Sequence, residues 1–264
     1  MRYGKGIIEE GGETRIVFFY EEKGKQYEIA GDIFSDFSLT ENEIKVSRFL
    51  VPFSPPNIIA MGLNYRAHIE ETGLKSNKEP QFFMKATSSV IGDGEYILLP
   101  KEAPDYVDYE AELGIVIGKR AKNVTEREAN KYILGYVCAN DVSARDCQFE
   151  RDIQWIRAKS FDTFCPVGRY IVSDIDPTNL GIKSVLNGKV MQNSNTSNLI
   201  NNPFQLVAFL SRQMTLLPGT LILTGTPEGV GFKRTPPVFL KDGDTITVEI
   251  ENVGKLTNPV KREE

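Results

Sequence analysis

Histidine, tryptophan and cysteine are all scarce here: one histidine, one tryptophan and three cysteines in 264 residues. The cysteines Cys138, Cys147 and Cys165 are odd in number and show no C-x-x-C spacing. That excludes a disulfide framework and a zinc ribbon, and leaves buried or inert thiols as the expectation. Excess positive charge is missing too. The net charge of −5 gives no basic field for nucleic acid or an anionic membrane. No apolar run approaches the roughly 20 residues that span a bilayer. The first residues, Met1 to Gly6, lead into no signal-peptide core, so a cytoplasmic setting is expected. The Gly-rich Thr226–Gly231 stretch is not followed by a Lys-Ser or Lys-Thr pair, which excludes a P-loop.

What is present is a β-dominated α+β pattern. Short strand-like segments in residues 1–52, such as Arg15–Tyr20 and Gln26–Ala30, predict a small β-rich N-terminal domain. Pro52 and the Pro55-Pro56 pair mark its boundary with a larger domain over residues 53–264. There, strands are expected at Ile58–Met61, Gln81–Lys85, Tyr96–Leu99, Glu110–Ile117, Leu134–Asn140, Arg169–Val172, Leu221–Thr224 and Thr245–Ile250. Thr125 and Glu128 form a capping-box pattern that predicts a helix to about Tyr132. Asn202-Pro203 predicts a second helix, Phe204 to Met214. Asn187-Gly188 and Asp242-Gly243 predict hairpin turns, and Lys261–Glu264 a frayed end. Tyr109, Trp155, Phe161 and Phe164 are expected in the core.

The most informative stretch is Asp108-Tyr109-Glu110-Ala111-Glu112-Leu113, followed by Asn140-Asp141-Val142-Ser143-Ala144-Arg145-Asp146. Glu110 and Glu112 are two apart on a predicted strand, so both face one way beside an apolar run. Like charges so placed repel, and a divalent cation relieves the cost of burying them. With Asp141 as a third oxygen ligand the set describes a Mg²⁺ or Mn²⁺ site with open positions. The rival reading is a structural Ca²⁺ site, which protein oxygens would fill more completely.

These segments, with Lys159–Phe164 and Thr224-Gly225-Thr226-Pro227-Glu228-Gly229-Val230-Gly231 in the same order, resemble the fumarylacetoacetate hydrolase family. The resemblance runs from about Pro52 to Pro259. It implies a mixed β-sandwich roll, usually a homodimer, and Mg²⁺- or Mn²⁺-dependent chemistry on β-keto acids by C–C hydrolysis, decarboxylation or tautomerisation; the expected partner is a small-molecule 2-oxo acid. Residue by residue it implies Glu110, Glu112 and Asp141 as metal ligands, Lys159 as the lysine beside the metal, and Arg145, Gln148 and Thr226 as substrate contacts. The founding hydrolases place a further aspartate on the metal; Asn64-Tyr65 stands in the comparable region here, and water is the expected ligand in its place.

His68 and Glu71 are three apart, one helical turn if their segment is helical, and Gly62 and Gly73 flank them as candidate hinges. Such a pair suits a base, and the resemblance implies the same role on a closing lid. The expected activity is hydrolysis of a C–C bond in an acylpyruvate or other 2,4-dioxo acid through a metal-stabilised enolate. The alternatives sharing that enolate are oxaloacetate decarboxylation, isomerisation of a 2-hydroxy-2,4-diene-dioate in aromatic breakdown, and dehydration of a 2-keto-3-deoxy sugar acid.

Overall fold

The computed structural model describes residues 1–74 and 79–264. Two twisted sheets dominate it. The larger, eleven-stranded sheet runs Phe37–Ile44, Lys25–Gly31, Glu13–Glu22, Arg2–Glu10, Ile171–Val172, Ile133–Asn140, Ala111–Ile117, Leu221–Leu223, Ile58–Met61 and Phe82–Lys85, with Arg48–Leu50 also paired to Arg2–Glu10. The second, five-stranded sheet runs Lys189–Asn195, Gly181–Leu186, Thr245–Ile250, Gly254–Arg262 and Ile97–Leu99. The pairing is mixed: Leu221–Leu223 lies parallel to Ile58–Met61, and both central partners of Ala111–Ile117 are antiparallel. This is the β-dominated α+β sandwich roll that the sequence predicts.

The Ala111–Ile117 strand shows how the layers form. It is buried throughout, and its side chains alternate between faces. Ala111, Leu113, Ile115 and Ile117 share a cluster with Ile182, Val248, Ile250 and Leu256 of the second sheet. Val116 turns the other way and packs with Val137, Ala139 and Leu221. Glu112 is in register with that second face, so the acidic end of the strand points away from the core between the sheets.

The N-terminal segment consists of five strands whose sheet is continuous with the rest, because Arg2 and Tyr3 pair with Val172 and Ile171. Pro52 and Pro55-Pro56 lie in the irregular link between Arg48–Leu50 and Ile58–Met61. Asn187 and Gly188 take φ of 49° and 81° and join two antiparallel strands, as the dipeptide predicts. The helix Pro203–Gln213 opens with a full capping box between Asn202 and Gln205.

Three expectations are corrected. Glu126–Tyr132 is a 3₁₀-helix: the Thr125 hydroxyl bonds the Glu128 side chain at 2.7 Å instead of capping a backbone N–H. Asp242-Gly243 makes a turn but no hairpin, since the Pro236-Pro237 segment before it forms no strand. Lys261 and Arg262 are not frayed; they close the Gly254–Arg262 strand, where they pair in parallel with Leu98 and Leu99. All three cysteines are buried free thiols, as expected. Among the described residues no helix is long and apolar enough to cross a membrane.

Candidate active site and metal centre

Three neighbouring strands of the large sheet end together. Ala111 is opposite Asn140, Glu112 opposite Ala139, and Gly114 opposite Leu223. The register continues one step past the strand ends, where Asp141 N donates to Glu110 O at 2.9 Å. Asn140 holds the other side of Glu110 by accepting its N–H at 2.9 Å. Glu110, Glu112 and Asp141 are thereby brought together, each offering an oxygen within 4.8 Å of the others, and all three are buried.

Electrostatics divide the three. Burial would raise Glu110, but the charges of Lys159 and Arg145 outweigh it and hold the carboxyl well below its ordinary range. Glu112 goes the other way: burial and the neighbouring Asp141 and Glu110 charges push it well up. One of its oxygens accepts Gly225 N–H at 2.6 Å, while Oε1 is buried with no partner among the described residues. An orphaned carboxylate oxygen aimed among two further carboxylates fits a divalent cation, so these residues suit Mg²⁺ or Mn²⁺.

Cationic side chains surround the cluster. Lys159 Nζ bridges Glu110 Oε2 and Asp141 Oδ2 at 2.7 Å each. Lys85, which sequence reasoning missed, donates to the other oxygen of Asp141 and is completely buried. Arg145 pairs with Glu110 Oε1 at 2.7 Å and donates Nη1 to Gln148 Oε1 at 2.8 Å and Nε to Asp108 Oδ2 at 2.9 Å. Its Nη2 is close to the same Asp108 oxygen but poorly aligned with it, and among the described residues finds no other partner.

Asp108 was also missed as a site residue. It anchors Arg145 to the loop after Thr226 by accepting Gly231 N–H at 2.8 Å and Phe232 N–H at 3.1 Å. Gly231 has no room for a Cβ between Asp108 and Val238 O. The signal was available, because Asp108 continues the i, i+2 spacing of Glu110 and Glu112.

His68 and Glu71 do lie on a helix, Arg66–Thr72, which ends at Gly73 in the left-handed region with φ of 69°. His68 Nδ1 faces Glu71 Oε2 at 3.2 Å, and Glu71 Oε1 accepts Gly229 N–H at 2.9 Å. The helix is therefore docked on the Thr226–Gly231 loop, with His68 buried. Gly62, at the other flank, lies under the Trp155 ring, where a Cβ would come within 2.8 Å.

His68, Glu110, Arg145, Gln148 and Lys159 line one narrow cleft, with free space of only about 20 Å³. Trp155, expected in the core, is half-buried and forms part of its wall. Thr226 is placed differently from the other expected contacts. Its hydroxyl donates to Ala111 O at 3.0 Å and accepts from Gln192 Nε2 at 2.7 Å, and it does not line the cleft. Asn64 likewise holds backbone, donating to Thr224 O at 2.8 Å and accepting Asn201 N–H at 2.9 Å.

Comparison with known proteins agrees with this geometry. The model of the fumarylacetoacetate (FAA) hydrolase C-terminal domain matches residues 57–261, and the chain belongs to this family of enzymes. It is 45% identical over 232 residues to the mitochondrial oxaloacetate tautomerase of Xenopus laevis, covering 84% of this chain and 72% of that one. Among solved structures it is similar to the 5-carboxymethyl-2-hydroxymuconate delta-isomerase of Mycobacterium smegmatis, with 41% identity, a TM-score of 0.85 and full coverage of both chains. The fumarylacetoacetate hydrolase of Exiguobacterium antarcticum matches with 34% identity and a TM-score of 0.82 over 99% of this chain and 100% of that one.

Proposed function

We propose that this enzyme catalyses keto–enol tautomerisation of a small 2-oxo acid, moving a proton at the carbon beside the ketone. The observation that carries the reading is that His68, held by Glu71, lines the same cleft as Glu110, one of the three clustered carboxylates Glu110, Glu112 and Asp141. With Nδ1 turned to Glu71, the ring has Nε2 left to take the proton from substrate and return it. Glu71 fixes the orientation of the ring. The unpaired Nη2 of Arg145 and the amide of Gln148 offer N–H donors to the substrate carboxylate. Docking of the helix keeps water from the transferred proton. A divalent cation held by Glu110, Glu112 and Asp141 would act as a Lewis acid on the 2-oxo group and acidify the neighbouring C–H.

The names of the Xenopus and Mycobacterium smegmatis proteins support tautomerisation over our expected C–C hydrolysis. Hydrolysis of a 2,4-dioxo acid is the second reading, because the same base pair would serve to deprotonate a water. One experiment separates them: loss of enol absorbance from oxaloacetate and pyruvate release from acetylpyruvate, each with Mg²⁺, Mn²⁺ or EDTA. Metal-dependent enol loss that collapses in His68→Ala supports the tautomerase. Faster pyruvate release would favour the hydrolase, and no metal-dependent turnover of either would overturn both.

A further inference from the structure

We infer that Lys85 is a fixed counter-charge of the metal centre: acting through Asp141, it loosens the hold of the site on a divalent cation and tightens the hold of the loaded site on the anionic substrate. The inference rests on the reading of Glu110, Glu112 and Asp141 as the metal centre of a 2-oxo acid site, and gives a task to a residue outside the cleft.

Lys85 is held in place from every side. It ends the Phe82–Lys85 strand, where it is in register with Ile58. The next residue is tied down too, because Ala86 N–H donates to Ser160 Oγ at 2.9 Å, which fixes this strand end beside Lys159. The Lys85 side chain is fully buried, with Nζ donating to Asp141 Oδ1 and lying 3.4 Å from Val142 O. Lys159 lines the cleft and Lys85 does not. Lys85 therefore acts on the centre by its charge, without touching the substrate.

Orientation alone does not call for this second lysine. Lys159 already holds Asp141 through Oδ2 at 2.7 Å, and a neutral donor would serve Oδ1 without the desolvation cost of a buried ammonium. What Lys85 adds is charge. Both oxygens of Glu110 and both of Asp141 touch a lysine or arginine nitrogen. Glu112 Oε1 is the one oxygen of the three carboxylates without a partner among the described residues. An incoming dication must share its ligand oxygens with groups of its own sign, so Lys85 opposes it. The same fixed charge favours an anion that joins the loaded centre, where little water screens it.

The test measures two affinities on the full chain by calorimetric titration: Mn²⁺ alone, and oxalate on the Mn²⁺-loaded protein, with the solution complex of Mn²⁺ and oxalate subtracted. Lys85→Met should bind Mn²⁺ about tenfold more tightly than wild type and oxalate about tenfold more weakly. Lys85→Gln, which keeps an N–H donor without the charge, should shift both in the same directions. A residue that only props Asp141 would not move the two affinities in opposite directions. Loss of both together, or no change in either, would overturn the counter-charge role and leave the metal centre standing. A variant that is unstable in EDTA should recover with Mn²⁺, whose charge replaces that of Lys85 beside Asp141; variants that stay unfolded with Mn²⁺ would make Lys85 a structural partner and overturn the inference. No Mn²⁺ binding by the wild type would overturn the metal centre and the inference with it.

Discussion

The Glu71 carboxylate joins two parts of the chain by accepting Gly229 N–H with one oxygen while the other faces His68 Nδ1. Glu71→Gln separates these jobs. An amide oxygen still serves Gly229, but the amide N–H₂ turned toward His68 favours the tautomer with its proton on Nε2, which cannot act as a base. We expect kcat to fall by about 10²–10⁴, close to the fall for His68→Ala, with KM little changed. Glu71→Ala should also release the helix. Amide hydrogen exchange over Arg66–Thr72 should rise in Glu71→Ala and remain low in Glu71→Gln.

Glu112 has the opposite character, a buried carboxyl that the protein would be more stable without. Its Oε1 has no partner among the described residues, and Asp141 and Glu110 act on it as like charges. Glu112→Gln keeps an acceptor for Gly225 and turns N–H₂ toward the two remaining carboxylates. In EDTA the variant should melt higher, where each 1 kcal/mol corresponds to about 2–4 °C for a domain near this size. Mn²⁺ should raise the melting temperature of the wild type and have little effect on the variant. A structural ion would give the reverse result, an unfolded or strongly destabilised variant.

The acidic triad was legible in the sequence because strand alternation is local. Two glutamates two residues apart share a face, and the apolar run beside them identifies the strand. Lys85 was not legible. It reaches Asp141 only because its strand lies beside Ile58–Met61, which in turn lies beside Leu221–Leu223, a set of pairings over long sequence distances. The Thr125 helix misled for a related reason: its residues match a capping box, but the hydroxyl bonds the Glu128 side chain and the tighter 3₁₀ form results. Trp155 was read as core from its type alone, yet it covers Gly62 and lines the cleft wall.

Asp108 should matter for stability as much as for the site. Its carboxylate accepts from Tyr109, Gly231 and Phe232 N–H groups and from Arg145 Nε. Asp108→Ala strands these donors and removes one partner of a buried arginine, a loss of about 3–5 kcal/mol by comparison with other broken buried pairs. Asp108→Asn retains an acceptor oxygen and should lose less. Urea unfolding of the two variants checks the order, and equal stability of Asp108→Ala and wild type would refute the anchoring role.

The buried thiols make stability depend on alkaline pH. Burial pushes both Cys138 and Cys165 up to about 12. An unfolded cysteine ionises near about 8.5, so between these values the unfolded chain has lost protons that the folded chain retains. The stability contributed by the neutral thiols is therefore fully present below about pH 8.5 and declines as pH rises toward 12. Each thiol adds a slope approaching about 1.4 kcal/mol per pH unit across that window. Urea unfolding at pH 8, 9 and 10 should show the decline in wild type and a flatter profile in Cys138→Ala/Cys165→Ala; the comparison cancels groups common to both chains. In the native protein at pH 8 these two thiols should also resist a disulfide reagent, since burial keeps both neutral and out of reach, and should react at once in denaturant. Rapid native labelling of Cys138 or Cys165 would contradict the burial on which both expectations stand.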